Sequence, residues 1–449
     1  MAVRALGISK GWVVGTFTLV WLAIFAYGAW MLVRFTPRLW PDPGLGYQLP
    51  APRGRLLARD GTPLALSPKP GARVYPLGAL AGQLIGYTER FPKGYGRGLA
   101  GLEARYDAVL ARGEDVRLTL DPKIQALAET ALLKGVEAAR ARWGSLVVLS
   151  PEGEVLASAN VPRLDPASRR GAPGKDPRLT NYAWRYLIEP GSTVKPLVAA
   201  WLLERGLVRP DEVLEVPYHV QVGDRWVRDW RWHPVERWTL ADILAHSSNV
   251  GMALLSERVK KRELHAFLTR LGFDQRVHPL AERPLLPPLK RWGPVEKANA
   301  TFGQGFALPP VQLAAAMNAL VTGVYHAPKL VLGQKGRETR IFSEASVRWI
   351  RSTLTRHLSP RARVPGYALA GKTGTAQIPT RGGYDPERVV ALFAGFIPAD
   401  RPRATAVVVL YDPQVPLADR YGSKLAAPVF AELAKGLLSY WGLLPERVK

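Results

Sequence analysis

Cysteine is absent from all 449 residues. That absence excludes disulfide staples, thiolate nucleophiles and thiolate metal sites, and it leaves the compartment open, because a cysteine-free chain suits either side of a membrane. Acidic residues are in deficit: 37 Asp and Glu stand against 61 Lys and Arg, a formal charge of +24 with an isoelectric point of about 10.3. Such an excess suits nucleic acid, anionic lipid or an acidic polymer, and equally a basic, arginine-rich proteome. Long apolar runs are almost missing as well. The one present, Trp12 to Val33, is bounded by Lys10 and Arg34. A run of about 20 residues spans the ~30 Å hydrocarbon layer, and Trp12 and Trp30 lie near its ends, where indoles favour the interface. It is too long for a signal peptide and lacks a small-x-small exit. Lys and Arg flank both ends, so charge leaves the orientation open. No second run, internal repeat or low-complexity tract follows, which excludes a many-span transporter.

The remainder reads as a globular portion on a single anchor. The expected organisation is a tail over 1–10, a transmembrane helix over 11–34, a stalk and pedestal over 35–120 and a larger domain over 121–449. Five prolines between 36 and 53 predict a stiff, extended stalk. Short apolar stretches split by Gly and Pro, from Gly54 to about Leu120, predict a small strand-rich module. Helical spacing runs from Asp121 to Arg142. A hairpin is expected at Leu146–Leu149 and Val155–Ala159 around Pro151-Glu152-Gly153. A long helical stretch is expected from about Ser192 to past Leu320, then strands at Val389–Ile397 and Ala404–Tyr411 and a last helix over Pro428–Trp441. Strands at both ends with helices between predict an α+β domain whose antiparallel sheet joins its two ends.

Several short patterns are decoys. Gly7-Ile8-Ser9-Lys10-Gly11 fits G-x-S-x-G but has no strand before it. Gly96-Arg97-Gly98-Leu99-Ala100-Gly101 fits G-x-G-x-x-G but follows Pro92 and Gly94 where a strand is needed. Gly366 to Thr373 satisfies the phosphate-binding G-x-x-x-x-G-K-[ST] pattern. A poor strand precedes it, however, and Gly374, Pro379, Gly382 and Gly383 follow where a helix should open. Ser158-Ala159-Asn160 reads as a strand end. His246 is tempting as a base, but a histidine at a helix end more often caps or packs.

Three motifs remain. Ser192-Thr193-Val194-Lys195, after Glu189-Pro190-Gly191, opens a helix that buries Val194, Leu197, Val198, Trp201 and Leu202. Positions i and i+3 then share a side, so the Ser192 hydroxyl and the Lys195 amine can meet. Thr239-Leu240-Ala241-Asp242 reads as a capping box, and Ser247-Ser248-Asn249 then interrupts two apolar helices. Lys372-Thr373-Gly374-Thr375 alternates as a strand does. The order S-x-x-K, S-x-N, K-T-G is shared by β-lactamases and penicillin-binding proteins. With its neighbouring residues the set resembles the class B penicillin-binding proteins, monofunctional peptidoglycan D,D-transpeptidases, and the wording around Val194 and Ser248 is closer to the division-specific, FtsI-type branch. Arg53-Gly54-Arg55, Arg59-Asp60-Gly61 and Gly101-Leu102-Glu103 with Tyr106 resemble pedestal boxes of that family. Leu118-Thr119-Leu120-Asp121 with Gln125 resembles the entry to its catalytic domain, and Phe302-Gly303-Gln304-Gly305 with Pro309 and Gln312 a further segment.

The resemblance implies a penicillin-binding transpeptidase fold and a role for each residue. Ser192 is the nucleophile, Lys195 its base, Ser247 a proton relay and Asn249 the group that orients Lys195 and the substrate amide. Lys372 holds the electrostatic field. Thr373, Gly374 and Thr375 bind the terminal carboxylate of a D-Ala-D-Ala stem, and the backbone N–H groups of Ser192 and Thr375 form an oxyanion hole. No metal or organic cofactor is needed. A lysine base must lose its proton near neutrality, and bringing its pKa from about 10.4 to about 7 requires about 4.6 kcal/mol. Lys372 at about 5 Å supplies about 3.3 kcal/mol of that at an effective dielectric near 20, with desolvation as the rest. The implied partners are stem peptides and nascent glycan strands, β-lactams as inhibitors, and a polytopic glycosyltransferase of the shape, elongation, division and sporulation (SEDS) type. Gly15, Ala23 and Gly28 offer that enzyme a close helix approach. Nucleic acid is not among the partners. The expected location is the cytoplasmic membrane, single-pass, with the catalytic domain outside. An elongation-specific transpeptidase, a β-lactam sensor or scaffold that does not turn over, and a P-loop ATPase stand as alternatives.

Overall fold

The computed structural model describes residues 10–35, 52–69, 72–89, 96–168, 176–381 and 383–445. It divides into two units, Met1–Pro50 and Ala51–Lys449. The first contributes one described element, helix α1 (Lys10–Phe35). Its side chains are described over 15–31 and are exposed throughout. Among the described residues no helix is long and apolar enough to cross a membrane. Most of the proline-rich stalk expected over 36–53, and nearly all of the 1–10 tail, lie outside the described residues.

The second unit opens with strands β1 (Leu56–Leu57), β2 (Pro63–Ala65) and β3 (Val116–Arg117), which form a three-stranded sheet in the order β2-β1-β3. These strands are shorter than a strand-rich module suggests, because Gly and Pro cut the apolar stretches to two or three residues. Beside its buried apolar residues, among them Leu56, Leu64, Leu84 and Leu102, the module holds a buried ionic cluster. Glu103, fully buried, accepts from Arg53 Nε at 3.0 Å and Arg73 Nε at 2.6 Å, while Arg53 Nη1 reaches Asp107 at 2.7 Å. Two of the sequence boxes, at Arg53 and Glu103, therefore meet through one carboxylate.

Helix α2 (Pro122–Ala139) follows, capped by Asp121, which accepts from the backbone of Lys123 and Ile124. It leads into the hairpin β4 (Ala141–Leu149) and β5 (Val155–Val161). Helix α3 (Lys195–Glu204) comes next. The helical stretch expected beyond it is broken: β6 (Leu214–Val216), β7 (His219–Val222), β8 (Arg225–Arg228) and β9 (Glu236–Trp238) form two small antiparallel pairs. The reason is local. Val222 and Val227 point inward while their neighbours face water, a period of two, and Gly223, with φ of +58°, makes the turn between them. Helices α4 (Leu240–His246), α5 (Asn249–Ser256) and α6 (Pro310–Thr322) then fill the middle of the unit. Helix α6 is buried on all sides from Pro310 to Val321, so it is apolar all round rather than striped.

Strands β10 (Ala370–Thr380), β11 (Gly383–Ile397) and β12 (Ala404–Pro413) complete a five-stranded antiparallel sheet in the order β10-β11-β12-β4-β5. The chain closes on helix α7 (Gly422–Tyr440), which starts six residues before the expected Pro428. Proline cannot donate to the carbonyl four residues back; the Lys424 carbonyl instead faces Arg361 Nη1 at 3.5 Å. Both faces of the sheet are covered. Leu146, Val148, Val408 and Leu410 pack on α2 and α7, while Val147, Leu149, Val407 and Val409 join the core that holds the middle helices. Burial on both faces explains why β4 and β12 read as continuous apolar runs.

Candidate active site

Ser192 lies on a 3-10 turn, Gly191–Val194, that runs straight into α3. The turn is fixed from two sides. Gly191 N–H donates to the Gly303 carbonyl at 3.0 Å, and Gly303, with φ of +83°, comes so close that a Cβ there would sit 2.1 Å from the Gly191 oxygen. On the other side Thr193 packs on β10, where a Cβ at Gly374 would lie 2.8 Å from Thr193 Cγ2. Gly374 is thus the residue that lets the serine turn touch the strand. Glu189, just upstream and buried, accepts from Gly305 N–H and from the Tyr384 hydroxyl, both at 3.0 Å. Burial pushes its carboxyl up.

Lys195 begins α3 and is completely buried. Its ammonium donates to Asn249 Oδ1 at 2.8 Å and to the Ser247 carbonyl at 2.5 Å, and it lies 3.5 Å from Ser247 Oγ. The amine is turned toward the Ser247–Asn249 segment; among the described residues no hydrogen bond joins it to the Ser192 hydroxyl. Ser192 itself is half-buried on the cleft side.

Ser247 is the C-cap of α4, in the left-handed region at φ 57° and ψ 37°. That conformation ends the helix and turns the hydroxyl toward a second lysine: Lys372 Nζ donates to Ser247 Oγ at 2.8 Å and to the Thr373 carbonyl at 3.0 Å. Lys372 reaches it from β10, the edge strand of the large sheet. A strand through Lys372, with no helix after it, also removes the geometry a phosphate-binding loop requires. Thr373 and Thr375 are half-exposed along the same strand, and Thr375 Oγ1 accepts from Gly422 N–H at 3.1 Å. Ser192, Lys195, Ser247, Asn249, Lys372 and Thr375, far apart in sequence, therefore line one cleft between the edge strand and the helical layer.

Both lysines are poised to lose protons. Burial holds Lys195 well below the ordinary lysine range; the Lys372 charge adds to the effect and Asp229 opposes it. Burial alone brings Lys372 to about 7. The order of causes corrects the sequence-based expectation, in which the Lys372 charge carried most of the work. Desolvation is the larger influence.

Sequence reasoning missed Asp229. This buried carboxylate accepts from the backbone N–H of Asn249 at 2.5 Å and Val250 at 3.0 Å, and from the Ser248 hydroxyl at 2.6 Å. His233 Nε2 lies 3.1 Å away. A negative charge on the first turn of α5 satisfies otherwise unpaired amides and suits the helix dipole. It fixes Asn249, and through it Lys195. No local pattern marks this residue, because its partners are about 20 positions downstream and its own segment was read as helix. The tempting alternatives lie elsewhere: His246 stacks on Trp238 at 4.6 Å, while Ser158 and Asn160 serve Trp184 and Ala183 inside the core.

Comparison with known proteins gives the family of the chain. Residues 144–435 match the penicillin-binding protein transpeptidase domain. The chain is 33% identical over 414 residues to the probable peptidoglycan D,D-transpeptidase PenA of Neisseria gonorrhoeae, covering 84% of this chain and 70% of that protein. It is 31% identical over 411 residues to the peptidoglycan D,D-transpeptidase FtsI of Escherichia coli K12, covering 83% and 68%. The crystal structure of apo penicillin-binding protein 3 from Mycobacterium tuberculosis superposes with a TM-score of 0.82 at 32% identity, over 88% of this chain and 97% of that one. Its ampicillin complex superposes equally well, at 31% identity over 89% and 97%. With the domain match over 144–435 and more than four-fifths of its length aligned with these proteins, the chain belongs to the penicillin-binding protein transpeptidase family, among the class B proteins.

Proposed function

We propose that this class B penicillin-binding protein, a peptidoglycan D,D-transpeptidase, cross-links stem peptides through an acyl-enzyme on Ser192. The observation that carries the reading is the pair of buried lysines converging on Ser247 beside the serine turn. Two desolvated ammonium groups on one hydroxyl are costly as structure alone and useful as proton machinery. In the forward step Lys195, whose proton burial makes easier to lose, acts in its neutral form and takes the Ser192 proton as Oγ attacks the carbonyl of the penultimate D-Ala. Ser247, bonded to both lysines, passes a proton toward the leaving D-Ala amine. The backbone N–H groups of Ser192 and Thr375 stabilise the oxyanion, and Thr373, Thr375 and Lys372 hold the terminal carboxylate. An acceptor amine then attacks the ester and releases Ser192. Asn249 orients Lys195.

β-Lactams acylate the same serine. The wording of the motifs and the likeness to FtsI favour septal synthesis over elongation. The pedestal boxes at Arg53–Arg55 and Gly101–Glu103 favour the transpeptidase over a receptor that acylates without turnover. The apolar run from Trp12 to Val33 in the sequence supports a membrane anchor over 11–34, with 121–449 as the catalytic domain on the extracytoplasmic side and 35–120 as stalk and pedestal. A SEDS-type glycosyltransferase pairs with that anchor. Intact-mass spectrometry after penicillin treatment tests the chemistry. The wild type gains one adduct and Ser192→Ala none; an adduct on another serine overturns the assignment.

A further inference from the structure

Large apolar side chains left in water need a reason when they cluster. On the extended segment that carries Asp229, the inward positions Val227 and Asp229 are buried, while Trp226 is 59% exposed, Trp230 66% and, just beyond, Trp232 71%. Three open indoles within seven residues form a surface. Two of them are held in place. The Trp226 ring meets His219 edge-on at 4.9 Å. Trp230 donates from its indole N–H to the His246 carbonyl at 3.4 Å, and its ring lies 5.9 Å from that of Tyr421. Tyr421 precedes Gly422, which bonds Thr375, so Trp230 stands at the rim of the cleft, with Trp226 on β8 before it and Trp232 just after it in the chain. Arg228 and Arg231 are interspersed, both exposed, and among the described residues neither forms an ion pair.

The occupant must offer flat apolar faces and negative charge, and must be continuous with whatever fills the cleft. Sugar rings present C–H faces that stack on indoles, and stem peptides carry carboxylates that guanidinium groups bind well. Tryptophan and arginine are also the residues that dominate binding energy at interfaces. We propose that the outer face formed by Trp226, Arg228, Trp230, Arg231 and Trp232 binds the glycan strand of the polymer whose stem peptide occupies the cleft. The inference rests on the transpeptidase reading and extends it from a peptide-binding cleft to a strand-binding track.

The test uses the full chain in detergent micelles and co-sedimentation with insoluble peptidoglycan sacculi. Trp226→Ala with Trp232→Ala should weaken sedimentation at least about tenfold, and soluble, peptide-free glycan chains should compete for the wild type. Arg228→Gln with Arg231→Gln replaces two exposed side chains and does not threaten the fold; it should weaken sedimentation about threefold and flatten its salt dependence. Sedimentation unchanged in both double variants overturns the proposal. So does failure of free glycan to compete, or loss of capture by phosphatidylglycerol vesicles in place of sacculi, which makes the surface a membrane contact. Fluorescent-penicillin labelling of the wild type separates the two readings. A labelled protein that ignores the tryptophans refutes the strand track alone, whereas an unlabelled one that still needs them refutes the transpeptidase chemistry alone.

Discussion

Replacing Lys372 by alanine asks how much of the unusual acidity of Lys195 comes from a neighbouring charge and how much from burial. Both ammonium nitrogens approach Ser247 Oγ, one at 3.5 Å and the other at 2.8 Å, so they lie within about 6.3 Å of each other. At an effective dielectric near 20, two unit charges at that distance repel by at least about 2.6 kcal/mol, close to two pH units. Burial brings Lys372 itself down to about 7, so near neutrality its charge is only partly present and the repulsion is correspondingly smaller. In the proposed mechanism acylation needs neutral Lys195 and therefore falls as pH drops. Removing the positive neighbour raises the Lys195 pKa, and the acidic limb of the profile should move upward by about one to two units. It should stop there, because desolvation is the larger cause and persists in the variant. The assay is the second-order rate of fluorescent-penicillin acylation from pH 5.5 to 10, with Lys372→Met as a variant that keeps more of the volume. Loss of carboxylate attraction lowers the whole curve without moving it, so position and height report different things. A limb that stays in place shows that Lys372 does not tune Lys195. A shift beyond three units shows that charge, and not burial, sets the base.

The opposite shift is expected for Asp229→Asn, since Asp229 raises the Lys195 pKa: the acidic limb should move downward, and urea unfolding should register a loss of about 2 kcal/mol from the α5 terminus. Gly303→Ala places a Cβ against the Gly191 oxygen at positive φ; it should cost more than about 2 kcal/mol in urea and slow acylation at least about tenfold, and ordinary behaviour in both would show that the serine turn does not lean on Gly303. Glu103→Ala leaves Arg53 and Arg73 facing each other without their shared carboxylate and should destabilise by about 3–5 kcal/mol, read by thermal melting. Penicillin labelling of that variant at low temperature should remain, because the cluster lies in the small module.

What could be read from the sequence was what neighbours along the chain determine. The capping box at Thr239, the β4–β5 hairpin and the paired apolar runs of β11 and β12 rest on spacing within about ten residues and stand close to where spacing puts them. Ser192, expected to open the helix and meet Lys195, lies instead on a 3-10 turn ahead of α3, and the Lys195 amine turns to Ser247 and Asn249. Asp229 and Arg73 escaped because their partners are tertiary. A carboxylate is identified as a helix cap only when the helix is seen to start at it. The segment 214–238 escaped for another reason: its alternation lasts only four residues at a time, and its outer positions carry tryptophan, which mimics a buried stripe. The electrostatics were misweighted for the same cause as the geometry. Charge can be counted in a sequence, whereas the burial of Lys195 depends on α3, α4 and β10 closing over it.

Ser247 ends α4 in a left-handed conformation, where a Cβ costs about 1–2 kcal/mol relative to the right-handed form and where helices commonly end in glycine. Glycine at this position would relax the backbone and, in the same stroke, delete the hydroxyl that meets both lysines. Thermal selection and catalytic selection therefore pull residue 247 in opposite directions. On the proposed chemistry, a library ranked by melting temperature would enrich inactive variants here, so stabilising this fold means working around the cleft, on the module, the sheet and the outer helices, while leaving Ser247 as it is.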